Sequence, residues 1–210
     1  MEITKTTRKI TVEEKEANLE NIWQNQIAKI KEAWGEKISQ DFIQQKKHLL
    51  NYCLQNIEDE YYGQDNKLPF IMVVPIVDNL DIKKYLTLLD KGGFFSSIKK
   101  ESITTCHQKF PYFITGIEVG QNNSKNYQNI SPNFIPPPKK GVNLEEMLAI
   151  AVGTDIFKAR YITCTETKNK KTGEIPALGK IEDRPMLYWS KPELCLECGI
   201  PSKKRNFCSI

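Results

Sequence analysis

The chain has 210 residues, 40% hydrophobic and 27% charged, enough to bury one core and too ordinary for a disordered or fibrous protein; two full domains are not expected. A net charge of +4 is too small to mark a dedicated nucleic-acid binder. No run reaches the roughly 20 apolar residues of a membrane span, and MEITKTTRKITVEEKEANLE lacks the apolar core of a secretory signal, so the expectation is a cytoplasmic protein with no membrane partner.

Thr11 followed by Glu14 has the spacing of a capping box, and the apolar residues Leu19, Ile22, Trp23, Ile27, Ile30 and Trp34 then recur along one stripe of a helix. Glu20, Gln24, Lys29 and Lys31 are expected to face out. Gly35 marks a break, and a second helical pattern runs through Ile38, Phe42, Leu49, Leu50, Cys53, Leu54, Ile57 and Tyr61 to Gly63 as its C-cap. This predicts an N-terminal helical segment over 1–64, a pair of helices packed on each other or on the body, with a long continuous helix as the alternative. The stripe carrying Trp23 and Trp34 is a candidate surface for a protein partner, although such a stripe usually packs as core.

After a polar turn the pattern changes to a continuous apolar run, Pro69 to Val77, read as a central strand with Pro75 near an end or a bulge. Asp78 or Asn79 caps a short helix through Ile82, Tyr85, Leu86 and Leu89, stopped by Gly92 and Gly93. Phe94 and Phe95 then look like a plug returning the chain to the core. A second strand is expected over Tyr112 to Val119, followed by a long irregular loop over 121–141. Asn143 caps a helix of Leu144, Met147, Leu148, Ile150 and Val152, with Glu145 and Glu146 in the first turn, where the helix dipole favours negative charge.

From Tyr161 the chain reads as a meander: a strand to Thr167, a turn at Asn169 to Gly173, a strand from Glu174 to Leu178 and another at Met186 to Trp189. The whole is therefore expected to be α+β. A helical segment over 1–64 precedes a 65–210 domain with a mixed or antiparallel sheet of four or five strands, two helices and a cysteine-containing tail.

The order PFIMVVPI, GGFF, PYFITGIEVG, LEEMLAIAV, then a Thr/Cys strand leading to IPALG and a cysteine-containing end, over about residues 68–210, resembles a bacterial, mainly actinobacterial, family of unknown function. The resemblance implies a fold and no reaction, catalytic residue or cofactor. The tail residues Cys195, Cys198, Gly199, Phe207, Cys208 and Ser209 weakly resemble a small zinc knuckle.

Zinc takes four tetrahedral N or S donors, and a Cys-x-x-Cys-Gly turn lets two thiolates grip one ion. Cys195, Cys198 and Cys208 supply three, with Cys164, Cys106, His107 or water as the fourth. One reading is a structural zinc held by Cys195, Cys198, Cys208 and Cys164; the other leaves the cysteines as packing residues, since Cys is often buried when unligated. Glu118 and Glu166 fall inside strand patterns, where a carboxylate either faces solvent or is an inward acid with a raised pKa; the solvated reading is the commoner. Lys203, Lys204 and Arg205, with Lys139 and Lys140, read as solvated surface rather than a nucleic-acid site. The expectation is a cytoplasmic, non-catalytic binding or accessory protein. The alternatives are a hydrolase-like or thiol enzyme near Glu118, Cys106 and His107, and weak nucleic-acid binding through the basic tail.

Overall fold

The computed structural model describes residues 10–63, 67–104, 108–119, 140–154 and 162–191, together with the backbone of 202–203 and 205–207. Helix α1 (Val12–Trp34) begins at the expected capping box: the Glu14 N–H donates to Thr11 Oγ1 at 3.2 Å and the Thr11 N–H to Glu14 Oε2 at 2.9 Å. Gly35 then takes φ of 83°, a conformation that a residue with a Cβ resists, and α2 (Glu36–Asn56) starts immediately after it. The helices are thus a packed pair rather than one rod. Helix α2 stops at Asn56, seven residues before Gly63. Its end is set by tertiary contact, because the Cys53 carbonyl accepts both the Ile57 N–H at 3.0 Å and the Tyr62 hydroxyl at 2.8 Å.

Strand β1 (Lys67–Val73) ends before Pro75, as its missing N–H requires. Asp78 caps α3 (Asn79–Leu89), and β2 (Phe95–Ser96) follows. Only one member of the aromatic pair returns to the core: Phe94 packs against it and Phe95 is 48% exposed. Next come β3 (Tyr112–Glu118), β4 (Lys140–Gly141), α4 (Leu144–Gly153), β5 (Ile162–Thr163), β6 (Ile175–Ile181), β7 (Arg184–Ser190), β8 (Ser202–Lys203) and β9 (Arg205–Phe207). The class is α+β, as expected, with the strands divided between two sheets. One has the order β1-β3-β8-β4 with β9 also on β3, all antiparallel; the other is β2-β7-β6-β5, in which only β2 runs parallel to its neighbour. Among the described residues no helix is long and apolar enough to cross a membrane.

The expected meander is present, with Asn169 to Gly173 linking β5 to β6. The turn between β6 and β7 carries no glycine or asparagine: Glu182 and Asp183 themselves take φ of 49° and 62° between the paired Ile181 and Arg184. Positive φ at both central positions is the mark of a type I′ hairpin turn, which favours Asn-Gly. Glu182→Asn with Asp183→Gly is expected to stabilise the protein by about 1 kcal/mol, read as a rise in the urea midpoint; an unchanged midpoint would show that the turn is unstrained.

The core is continuous from the helical pair into the sheets. Trp23 of α1 stacks beside Phe70 and Phe113 at 6.3 and 6.1 Å between centroids, and Phe42 of α2 meets Phe113 edge-on at 5.1 Å. Among the described residues strand β1 is the outer strand of its sheet, and its outer edge is closed by side chains. Gln26 donates to the Phe70 carbonyl at 3.4 Å and accepts the Met72 N–H at 2.7 Å; the Tyr85 hydroxyl bonds both N–H and carbonyl of Val74 at 2.8 Å. Beyond the strand, Glu145 Oε2 accepts the Ile76 N–H at 3.0 Å and Asp81 Oδ2 the Val77 N–H at 3.0 Å. An open edge is a template for aggregation, and here α1, α3 and α4 each contribute a group that closes it. Lys29, expected to face out, instead donates to the Val152 carbonyl at the end of α4 at 2.5 Å.

Candidate functional site

Helix α4 is apolar around its whole circumference: Leu144, Met147, Leu148, Ala149, Ile150 and Ala151 are all buried. A helix of that kind sits inside the protein, and its first turn therefore carries Glu145 and Glu146 inside with it, both 0% exposed. Asn143 shapes the start, its Oδ1 accepting the Glu146 N–H while Glu146 Oε2 accepts the Asn143 N–H, each at 2.9 Å. Thr167 Oγ1 takes the Leu144 N–H at 2.9 Å. The helix N-terminus is capped from within the fold.

Tyr112, at the start of β3, points its hydroxyl between the two acids, 2.8 Å from Glu145 Oε1 and 3.2 Å from Glu146 Oε1, with Asn143 Nδ2 donating to the same phenol oxygen at 3.4 Å. With the Ile76 N–H on Glu145 Oε2 and the Asn143 N–H on Glu146 Oε2, every carboxylate oxygen of the pair has a partner. Burial, and then the charges of Glu146 and Glu145, hold the Tyr112 hydroxyl far above the ordinary tyrosine range. It therefore remains a proton donor at any ordinary pH. The stability this donor contributes is intact below about pH 10 and declines only as pH rises beyond that.

Cys164 lies just after β5, 0% exposed. Burial pushes its thiol up, and hydrogen bonds from Thr167, which pull the other way, do not offset it; the Glu146 charge adds to the rise. Such a residue is a protonated thiol and not a ready nucleophile. Chemically, the cluster is a phenol hydroxyl that bridges two buried carboxyl groups at a helix N-terminus.

The residues singled out from the sequence are dispersed. Glu118 ends β3, its side chain 21% exposed, accepting the Tyr61 hydroxyl at 3.1 Å and pairing with Lys67 at 3.6 Å. Glu166 is exposed. Cys106, His107, Cys195, Cys198 and Cys208 lie outside the described residues, and so does most of the 121–141 loop. Among the described residues no three His, Cys, Asp or Glu side chains converge as a metal site. The register does bring two basic stretches together, with Lys140 of β4 opposite Lys203 of β8. The acid cluster itself escaped the reading by motif, since Glu145 and Glu146 serve the helix dipole equally well from the surface. The signal that places them inside is the absence of any polar face on the remainder of α4.

Two open grooves have walls among the described residues, and neither includes the cluster. One, of ≈ 480 Å³, lies between α1 and α2, with Leu19, Leu50 and Leu54 as its floor and Glu13, Glu16, Glu20 and Lys47 around it. The other, of ≈ 530 Å³, lies between α3 and the segment around β2 and is lined by Ile82, Leu86, Phe94 and Ile98. Compared with protein-family models, with curated proteins and with solved structures, the chain matches none.

Proposed function

We propose that this is a non-catalytic binding protein whose helical pair receives a basic amphipathic helix of a partner protein. The observation that carries the reading is the groove between α1 and α2. Its leucines are joined by three glutamates and one lysine; Glu20 is paired with Lys46 at 2.7 Å, so Glu13 and Glu16 give the groove its mildly negative side, on a chain of net charge +4. Apolar anchors laid into a groove with complementary charge at the rim are the usual terms of helix recognition. The acid cluster supports the same reading by contrast: it is closed by its own hydrogen bonds and ties α4 to β1 and β3, whereas the groove is open.

A synthetic Lys/Leu amphipathic helix is expected to bind with micromolar affinity, followed by fluorescence of the tryptophans, and to weaken steeply with salt. Glu13→Lys with Glu16→Lys, both at exposed positions, is expected to reduce that affinity about tenfold or more. Equal binding by the charge-reversed protein, or by a Glu/Leu helix, would overturn the assignment.

A further inference from the structure

The bridge between Ile103 and Asn169 joins two basic segments that lie far apart in the sequence. The Thr104 N–H donates to the Lys168 carbonyl at 2.9 Å, the Lys168 N–H to Thr104 Oγ1 at 3.0 Å and the Lys170 N–H to the Ser102 carbonyl at 3.0 Å. The short 3-10 turn Lys100–Ser102 and the turn from Asn169 to Gly173 are thus held against each other. Asn169 Oδ1 accepts the Lys171 and Thr172 N–H groups at 2.8 and 3.2 Å, which fixes the tip. On the other side, Asn79 Oδ1 of α3 accepts the Lys100 N–H at 2.8 Å, and Lys83 of the same helix lines a groove together with Lys99.

These contacts gather Lys83, Lys99, Lys100, Lys168, Lys170 and Lys171, all exposed except the half-buried Lys100. Among the described residues none of them pairs with a carboxylate, whereas Lys15, Lys31, Lys46 and Lys67 each do. Lys170 Nζ donates to the Glu101 backbone carbonyl at 3.2 Å, a partner that leaves its charge uncancelled. The acids on the two segments are Glu101, Glu166 and Glu174. Glu101 Oε1 accepts Asn79 Nδ2 at 3.0 Å, and Glu174 Oε2 accepts the Thr172 hydroxyl at 2.7 Å. Positive charge is therefore in excess on this surface, and it is mounted on backbone that hydrogen bonds hold in place. A polyanion laid across it relieves the repulsion among the lysines and releases its own counterions.

We infer that this surface binds the phosphate backbone of a nucleic-acid duplex without reading its sequence. The two segments carry no aromatic side chain, so they offer no platform on which single-stranded bases stack. Their large apolar residues, Ile98, Ile103 and Ile175, are 3%, 1% and 1% exposed. None of these can insert into a bilayer, and a basic patch needs such an anchor for stable membrane attachment. Phosphate contacts position a protein on a duplex and carry no sequence information. The inference does not rest on the groove between α1 and α2, which other elements form.

The test is fluorescence anisotropy of a labelled duplex of about 20 base pairs titrated with the full chain. Binding is expected at about 50 mM salt and to weaken about 100-fold at about 200 mM, the dependence of roughly four phosphate contacts. Lys168→Gln with Lys171→Gln, which leaves the Lys170 contacts intact, is expected to lower affinity at least tenfold and to reduce the salt slope by about two. Lys31→Gln with Lys91→Gln removes the same net charge from exposed lysines elsewhere and is expected to bind within about twofold of wild type. Lys99→Gln, on the other segment, is expected to weaken binding severalfold and decides the matter if the first double variant does not fold. A second duplex of unrelated sequence is expected to bind equally. The inference is overturned if the wild-type protein does not bind at low salt, or if the two double variants bind alike. Tighter binding to vesicles containing phosphatidylserine than to the duplex would also overturn it, in favour of a membrane surface.

Discussion

Tyr112→Phe is expected to destabilise the protein by about 3 kcal/mol, seen as a lower urea midpoint with an unchanged slope. The ring is conserved in shape, so packing against β1 and α4 is little altered, and the loss is that of the hydroxyl alone. Without it the 2.8 and 3.2 Å contacts disappear, and two fully buried carboxyl groups each lose a hydrogen-bond donor. Loss of a hydrogen bond to a buried carboxyl group is among the few mechanisms that make a single substitution this costly. The effect should also be local. Glu145 reaches the Ile76 N–H, so hydrogen exchange at the stretch after β1 is expected to accelerate before that of the helical pair. A loss below about 1 kcal/mol would mean that the two carboxyls rearrange to bond one another directly.

Trp23→Ala is expected to cost about 4 kcal/mol and to lower Tm by on the order of 10 °C. Trp23 is 2% exposed and joins the helical pair to the sheet through Phe70 and Phe113, with the Lys46 ammonium 5.6 Å from its ring centroid. Removing it opens a cavity where α1 meets β1, and Gln26, one helical turn further along α1, is expected to lose its hold on the Phe70 carbonyl and the Met72 N–H. The edge of β1 then becomes available for pairing with other chains. Aggregation on mild heating, followed by light scattering, is the measurable consequence; a variant that stays monomeric while losing the same stability would show that Tyr85 and Glu145 guard the edge unaided.

The helical pair shows how far local pattern reaches. Thr11, Glu14 and Gly35 place a helix start and a break through groups only a few residues apart, and Asp78 and Asn143 do the same for α3 and α4. Such signals are legible because the donor and the acceptor lie within one turn. The β6–β7 turn was not legible, since Glu182 and Asp183 hold positive φ only because the pairing of the flanking strands imposes it. Helix α2 read too long for a similar reason: Tyr62 reaches back to the Cys53 carbonyl, a contact that apolar spacing does not encode.

By itself the sequence determined the α+β class, the helix starts, the break at Gly35 and the apolar strands that become β1 and β3, because each depends on interactions between near neighbours or on a simple period. Tertiary structure alone decided that Gln26, Tyr85 and Glu145 close the edge of β1, that Glu118 lies at a strand end beside Tyr61 and Lys67, and that Tyr112 stands between Glu145 and Glu146. A carboxylate at a helix N-terminus is stabilised by the dipole whether it faces water or the core. Which way it faces depends on what is packed around the helix, and here that includes Tyr112, 33 and 34 positions away from the two acids.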